Sequence, residues 1–335
     1  MLFELPGFGH RDVDTVGQAV SLLRDYGEKA AVIAGATDLL GLLKDRVEGP
    51  GLKLPEVLVN IKPIPELGLI GEDPGCVGIG AAVTLTRLAA SDVIRRRFPA
   101  LAEAARLVGT TQLRNMGTLG GNLCQRPRCL YFRHPHFPCF KKGGKRCYAV
   151  AGENRDYHAI LQLGRCVMAH PSDTAPALIA LKAAAVVAGP EGEKIVPLRE
   201  LFLGPNSVRE TALRPDQLLK EVRLPLPGPG SRQVFLKQRV RHAADFALAS
   251  VAVSAELADG VCREVRLVLG GVAPLPVEAE GAEALLRGKR LDERLAEEAA
   301  EAALEGARPL PMNRYKIDLA RALVRRALVL IADGG

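Results

Sequence analysis

The chain has 335 residues, 48% hydrophobic and 25% charged, with a net charge of +7. That length can bury a large core in two or three domains, and the balance excludes a mostly disordered chain. No apolar run approaches the roughly 20 residues that span a bilayer, so no membrane span is expected. The opening "MLFELPGFGHRD" lacks a basic segment followed by an apolar one. The expected location is therefore cytoplasmic, with export only in a complex carried by a partner's signal.

"DVDTVGQAVSLLRDYG" puts Val13, Val16, Val20 and Leu23 on one helical face, with Asp12 as its cap and Gly27 beyond it. "AAVIAG" reads as a strand, "TDLLGLLKDRV" as a short helix and "EVLVNIK" as an alternating strand, an α/β beginning. "LGLIGEDPGCVGIGAAV" predicts two short strands around an Asp-Pro-Gly turn. Thr84 caps a following helical stretch that breaks before Pro99. Further on, "TAPALIALKA" predicts a helix, "AAVVAGPEGEKIVPL" a hairpin, and residues 224–233 a linker rich in proline and glycine. Two strands, "FALASVAVSAEL" and "CREVRLVLGGV", and three helices then make a separate α+β domain over 229–335. The first domain is expected over 1–228.

Seven cysteines lie at 76, 124, 129, 139, 147, 166 and 262. In a reducing compartment the cluster from 124 to 166 favours metal over disulfides. Cys129, Cys139, Cys147 and Cys166 are separated by 10, 8 and 19 residues, without the close pair that opens most zinc sites. Four such thiolates can hold a 4Fe-4S cluster, each iron needing one cysteine. No acidic residue lies between Glu103 and Glu153, whereas Arg126, Arg128, Arg133, Lys141, Lys142, Lys145 and Arg146 do. This cationic wrapping would offset the charge of a cluster. Tyr131, Phe132, Phe137, Phe140, Tyr148 and Tyr157 interleave with it, which is also the composition of a single-strand nucleic-acid groove. A zinc staple is the third reading.

"AGATDLL", 34 to 40, follows a strand and precedes a helix, so its N–H groups could approach a phosphate closely. "RNMGTLGGNL", 114 to 123, is a second small-residue loop without the strand-GxGxxG-helix setting of a Rossmann site. Two such loops suit a long, folded cofactor better than a mononucleotide.

These two blocks, with "HPSDTAPAL", "KQRVRHAADFALASVAV", "LGGVAPLPVEAEGAEALLRG" and "NRYKIDLARALVRRAL" in the same order, resemble the FAD-binding subunit of molybdenum hydroxylases, the xanthine dehydrogenase family. The resemblance implies a PCMH-type (vanillyl-alcohol oxidase-like) FAD-binding fold followed by a CO dehydrogenase flavoprotein-type C-terminal α+β domain. It implies an oxidoreductase subunit without catalytic residues of its own. Its partners would be a large molybdenum-cofactor subunit and a small subunit with two 2Fe-2S clusters, with NAD, ferredoxin or another molecule as external carrier. Carried over, Ala34, Gly35, Ala36, Thr37, Asp38 and Leu39, with Gly117, Thr118, Gly120, Gly121 and Asn122, cradle the FAD pyrophosphate. Asp173 and Lys237 match positions near the ribityl chain and isoalloxazine. The family more often has glycine at Ala36, whose methyl is tolerable where φ stays negative.

An insert at about 123–168 separates the Asn122 loop from Asp173, and the clustered cysteines lie in or beside it. Similar inserts occur in the flavoprotein subunits of 4-hydroxybenzoyl-CoA reductase and of a bacterial aldehyde oxidoreductase, both similar in carrying a 4Fe-4S cluster. Their shared cysteines fall on Cys129, Cys139, Cys147 and Cys166. Cys124, which matches only some members, is then a spare buried thiol, with its ligation in place of Cys129 as the alternative, and His134, His136, His158 and His170 are structural. Together these features favour a flavoprotein over a nucleic-acid-binding protein.

Overall fold

In the computed structural model, which describes residues 4–334, the chain begins as a small parallel sheet. Strands β1 (Gly9–Asp12), β2 (Ala30–Ile33) and β3 (Val57–Asn60) lie in the order β1-β3-β2. Helix Val16–Tyr26 connects the first two and buries Ala19, Val20 and Leu23. Its cap is Thr15, which accepts from the Gln18 amide, and not Asp12. Asp12 is the last residue of β1, where pairing with β3 holds its backbone extended. The alternation expected of β3 is absent: Val57, Leu58 and Val59 are all buried, because a central parallel strand is covered on both faces.

Strands β4 (Ile70–Asp73) and β5 (Cys76–Gly80) form the hairpin expected at Asp-Pro-Gly, with Gly75 at φ +87°. Thr84 caps the next helix, accepting from the Arg87 amide. The stretch that follows breaks twice, before Asp92 as well as before Pro99, giving helices Leu85–Ala90, Asp92–Arg97 and Pro99–Arg106. The extra break is at Ser91, which sits extended at ψ 125°. Hairpin β6 (Ala184–Gly189) and β7 (Gly192–Pro197) joins through β8 (Leu218–Pro225) into an antiparallel sheet, β4-β5-β8-β6-β7. Helix Thr174–Ala180 is buried along its whole length in the same core.

The linker is shorter than expected, residues 226–230, since Leu224 pairs with Val77 and is buried. Beyond it, β9 (Ser231–Gln238), β10 (Ala249–Ala258), β11 (Val261–Gly270) and β12 (Val277–Glu278) form the antiparallel sheet β12-β11-β10-β9. Helices Glu280–Leu286, Glu293–Ala302 and Tyr315–Asp333 cover one face. Phe235, Ala252 and Val268 on this sheet enter the core of the preceding one, so the two units pack through shared apolar contacts. Among the described residues no helix is long and apolar enough to cross a membrane.

Candidate functional site

The two small-residue loops lie back to back. A Cβ at Gly35 would fall 2.1 Å from the Met116 carbonyl oxygen, so backbone meets backbone there. Ala36 adopts φ +60°, in the left-handed region, and not the negative φ on which its methyl was expected to be tolerated. A glycine would sit there without the roughly 1–2 kcal/mol cost of an L side chain. In the second loop Thr118 caps helix Leu119–Leu123 by accepting from the Gly121 amide at 3.1 Å. The Asn122 side-chain oxygen accepts from Ser172 Oγ at 2.6 Å and Thr174 Oγ1 at 2.7 Å. The second loop is thereby tied to the turn before helix Thr174–Ala180, where Asp173 sits.

From the junction of these loops a groove runs in two directions. One arm, about 240 Å³, is lined by Ala34 to Leu39 and by Ala81, Gly120, Cys124 and Gln217. The other, about 160 Å³, is lined by Leu85, Gly117, Asn122, Arg128, Asp173, Lys237 and Phe246. Thr37, Asp38, Thr118, Gly121 and Gln125 belong to both. A bent groove with phosphate-sized room beside two glycine-bearing turns suits a dinucleotide. Cys124 lies in the first arm, away from the other clustered thiols, and burial pushes it up to about 12.

Asp173 and Lys237 are not surface charges. They form an ion pair of 2.5 Å at the end of the second arm, both side chains buried. Lys237 also donates to the Leu107 carbonyl at 3.1 Å. Burial raises the Asp173 carboxyl, and the adjacent ammonium opposes this.

The insert holds little regular structure: helix Leu130–Arg133 and two short 3-10 turns. It nevertheless brings Cys129, Cys139, Cys147 and Cys166 to one small cavity of about 10 Å³, with Phe132, Phe140 and Tyr148 in its walls. Backbone N–H groups nearby favour the thiolate form of all four, from Phe132 and Tyr131, Lys142 and Lys141, Val167 and Ala149, and Met168 respectively. The neighbouring Cys147 and Cys166 thiols shift one another, Cys147 down and Cys166 up. His158 Nε2 lies 3.3 Å from Cys129 Sγ. Among the described residues, no three histidine, cysteine or acidic side chains are arranged as ligands of one metal ion. At its far end the insert is stitched to the C-terminal unit by Lys316, whose buried ammonium donates to the carbonyls of Asp156, His158 and Gly271. Burial lowers it to about 7, against the raising effect of the Asp156 charge.

Only part of the basic set stays with the thiols: Lys141 lines their cavity and the charge of Lys142 acts on Cys139, but Arg126, Arg128 and Arg133 turn elsewhere. Arg128 and Arg133 reach Asp38 of the first loop at 2.9 and 2.6 Å, and the Arg126 amide donates to the same carboxylate at 2.8 Å. Arg126 and the buried Lys141 pair instead with Glu210, at 2.9 and 3.4 Å. A long stretch free of acids must find its counter-charges elsewhere in the fold, and this absence was the signal for the contacts. The aromatics are equally occupied. Tyr131, Phe137 and Tyr148 pack on one another, and Arg146 lies over Tyr148.

A mixed α/β fold with a bent groove running past two small-residue loops is that of a dinucleotide-binding protein. Residues 7–227 match the FAD binding domain in molybdopterin dehydrogenase, and residues 234–330 match the CO dehydrogenase flavoprotein C-terminal domain. The chain therefore belongs to the FAD-binding subunits of the molybdopterin dehydrogenase family, with the PCMH-type FAD-binding fold and its C-terminal α+β domain. It is 34% identical to the aldehyde oxidoreductase FAD-binding subunit PaoB of Escherichia coli, over 97% of this chain and 98% of that one. It is 30% identical to the carbon monoxide dehydrogenase medium chain of Hydrogenophaga pseudoflava, over 96% of each. A solved carbon monoxide dehydrogenase from Hydrogenophaga pseudoflava superposes with a TM-score of 0.78, covering 97% of each chain.

Proposed function

We propose that this chain is the FAD- and 4Fe-4S-carrying electron-transfer subunit of a heteromeric molybdenum hydroxylase. It works with a large molybdenum-cofactor subunit and a small subunit bearing two 2Fe-2S clusters. An external carrier exchanges electrons at the flavin. The observation that carries the cluster part is the meeting of four cysteines, distant in sequence, at one cavity beside the groove.

The residues present suit FAD in chemistry and placement, and a 4Fe-4S cluster in donor chemistry. Ala34, Gly35, Ala36, Thr37, Asp38 and Leu39, with Gly117, Thr118, Gly120, Gly121 and Asn122, would hold the pyrophosphate at the junction of the arms. Asp173 and Lys237 would face the flavin end of the second arm. The all-thiol donor set, with N–H groups nearby that favour thiolates, is the chemistry that iron-sulfur clusters require. The cavity is about 10 Å³, so the four thiols would have to move apart to hold a cluster. FAD supplies one- or two-electron exchange, and a cluster supplies single-electron relay. The buried Asp173–Lys237 pair fixes the arm without adding net charge, while Phe246 and Leu113 narrow its walls.

The deciding measurement is the iron, zinc and acid-released flavin content of the anaerobically purified chain, with its visible spectrum. One FAD and four irons are expected, and Cys139→Ser is expected to lose iron while keeping flavin. Zinc with no iron would make the insert a structural staple. Unchanged iron in Cys139→Ser would sink the ligand assignment.

A further inference from the structure

Arg128 immediately precedes Cys129, whose thiol lines the insert's cavity, yet its own side chain lines the second arm of the groove. The guanidinium stands 4.7 Å from the centre of the Phe246 ring, and Nη2 donates to Gln125 Oε1 at 3.0 Å. Its only carboxylate partner among the described residues, Asp38, is shared with Arg133, so one carboxylate faces two guanidiniums and one positive charge remains. Arg128 Nε is buried and has no hydrogen-bond partner. Of the other charges at this arm, Asp173 pairs with Lys237 and Asp245 with Arg241, while Arg239 donates to the Leu107 carbonyl beside Lys237 at 3.1 Å and stands outside the lining.

We infer that Arg128 is the residue through which the insert sets the reduction potential of the flavin, by holding an uncancelled positive charge on the wall of the arm that receives the isoalloxazine. The inference rests on the proposed function in one respect, that the flavin end of FAD occupies the arm with Asp173 and Lys237. Taking up two electrons and one proton leaves the flavin with one more negative charge than in its oxidised form. A fixed cation beside it therefore favours the reduced form, and arginine remains charged at neutral pH. Arg128 acts as a tuning residue and takes no proton or electron itself.

The test is a redox titration of the full FAD-loaded chain, reading the ratio of reduced to oxidised flavin at fixed poise. Arg128→Gln is expected to lower that ratio at least tenfold, about 30 mV for a two-electron couple. Asp38→Asn removes a negative charge from the same cluster and is expected to raise it. Loosening of the insert would move both variants the same way, so shifts of one sign, or no shift in Arg128→Gln, would overturn the inference. Arg128→Lys is expected to keep the ratio within threefold of the parent. Should Arg128→Gln release its flavin, Arg128→Lys decides: retention with the parental ratio supports the role of charge, and loss overturns it. A parent chain without flavin would overturn the functional reading and this inference with it, whereas bound flavin with an unmoved ratio would overturn this inference alone.

Discussion

Asp173 and Lys237 meet at 2.5 Å although they come from the two different units of the chain, Asp173 from the turn before helix Thr174–Ala180 and Lys237 from β9. Because both are buried, each is the other's condition for being charged. Lys237→Met strands a buried carboxylate and is expected to cost about 3–5 kcal/mol in denaturant unfolding. The double variant Asp173→Leu, Lys237→Met is expected to cost less than that single change. A double-variant cost equal to the sum of the Asp173→Leu and Lys237→Met costs would show that the pair is not coupled.

Gly35 and Ala36 are neighbours with opposite requirements. Gly35→Ala places a methyl 2.1 Å from the Met116 oxygen, so the two loops must separate. We expect loss of flavin binding, read by acid-released flavin. Ala36→Gly relieves a left-handed φ of +60° but frees the unfolded chain, terms of about 1 kcal/mol each. Its stability should stay within about 1 kcal/mol of the parent with full flavin content, and a flavin-free Ala36→Gly would refute this account of the loop.

Arg133 clamps the insert to the first loop, donating to Asp38 Oδ1 at 2.6 Å and to the Pro127 carbonyl at 2.8 Å. Hydrogen bonds to a charged partner contribute about 1.5–3 kcal/mol. Arg133→Ala is expected to lose about that much stability and to admit faster proteolysis within residues 126–147. Unchanged cleavage rates there would mean that the cysteine cavity alone holds the insert.

His170 is buried against Phe202, and its burial, assisted by the charge of Lys141, lowers it to about 3. In the unfolded chain it titrates at 6.5. Between these values the unfolded state binds the additional proton, so the stabilising contribution is full above pH 6.5 and is lost as pH falls toward 3. The slope is about 1.4 kcal/mol per pH unit. Subtracting the stability profile of His170→Gln from that of the parent should reveal this slope. A flat difference would place the ring in contact with water.

Much of the fold was legible where a local pattern decides the outcome. The hairpin at Asp-Pro-Gly, the Thr84 cap and the break before Pro99 depend only on neighbours in sequence. Asp12 and Thr15 are both good caps, and the choice fell to Thr15 because pairing with β3 had already claimed Asp12. The small-residue loops were visible from composition and order. The left-handed φ at Ala36 was not, since it follows from the contact of two loops about eighty residues apart.

What the sequence determined by itself was the set of parts: two glycine-bearing turns, a cysteine-rich basic insert lacking acids, and the strands and helices that frame them. Only the tertiary structure decided where the charges of the insert are spent. The seven basic residues read as a shell around thiols, but Asp38 and Glu210, one before the insert and one after it, claim Arg126, Arg128 and Arg133, and of the residues so paired Lys141 alone lines the thiol cavity. Residues in a strand or cap answer to neighbours a few positions away. A partly buried guanidinium answers to whichever carboxylate the fold brings within reach, and sequence distance sets no limit on that.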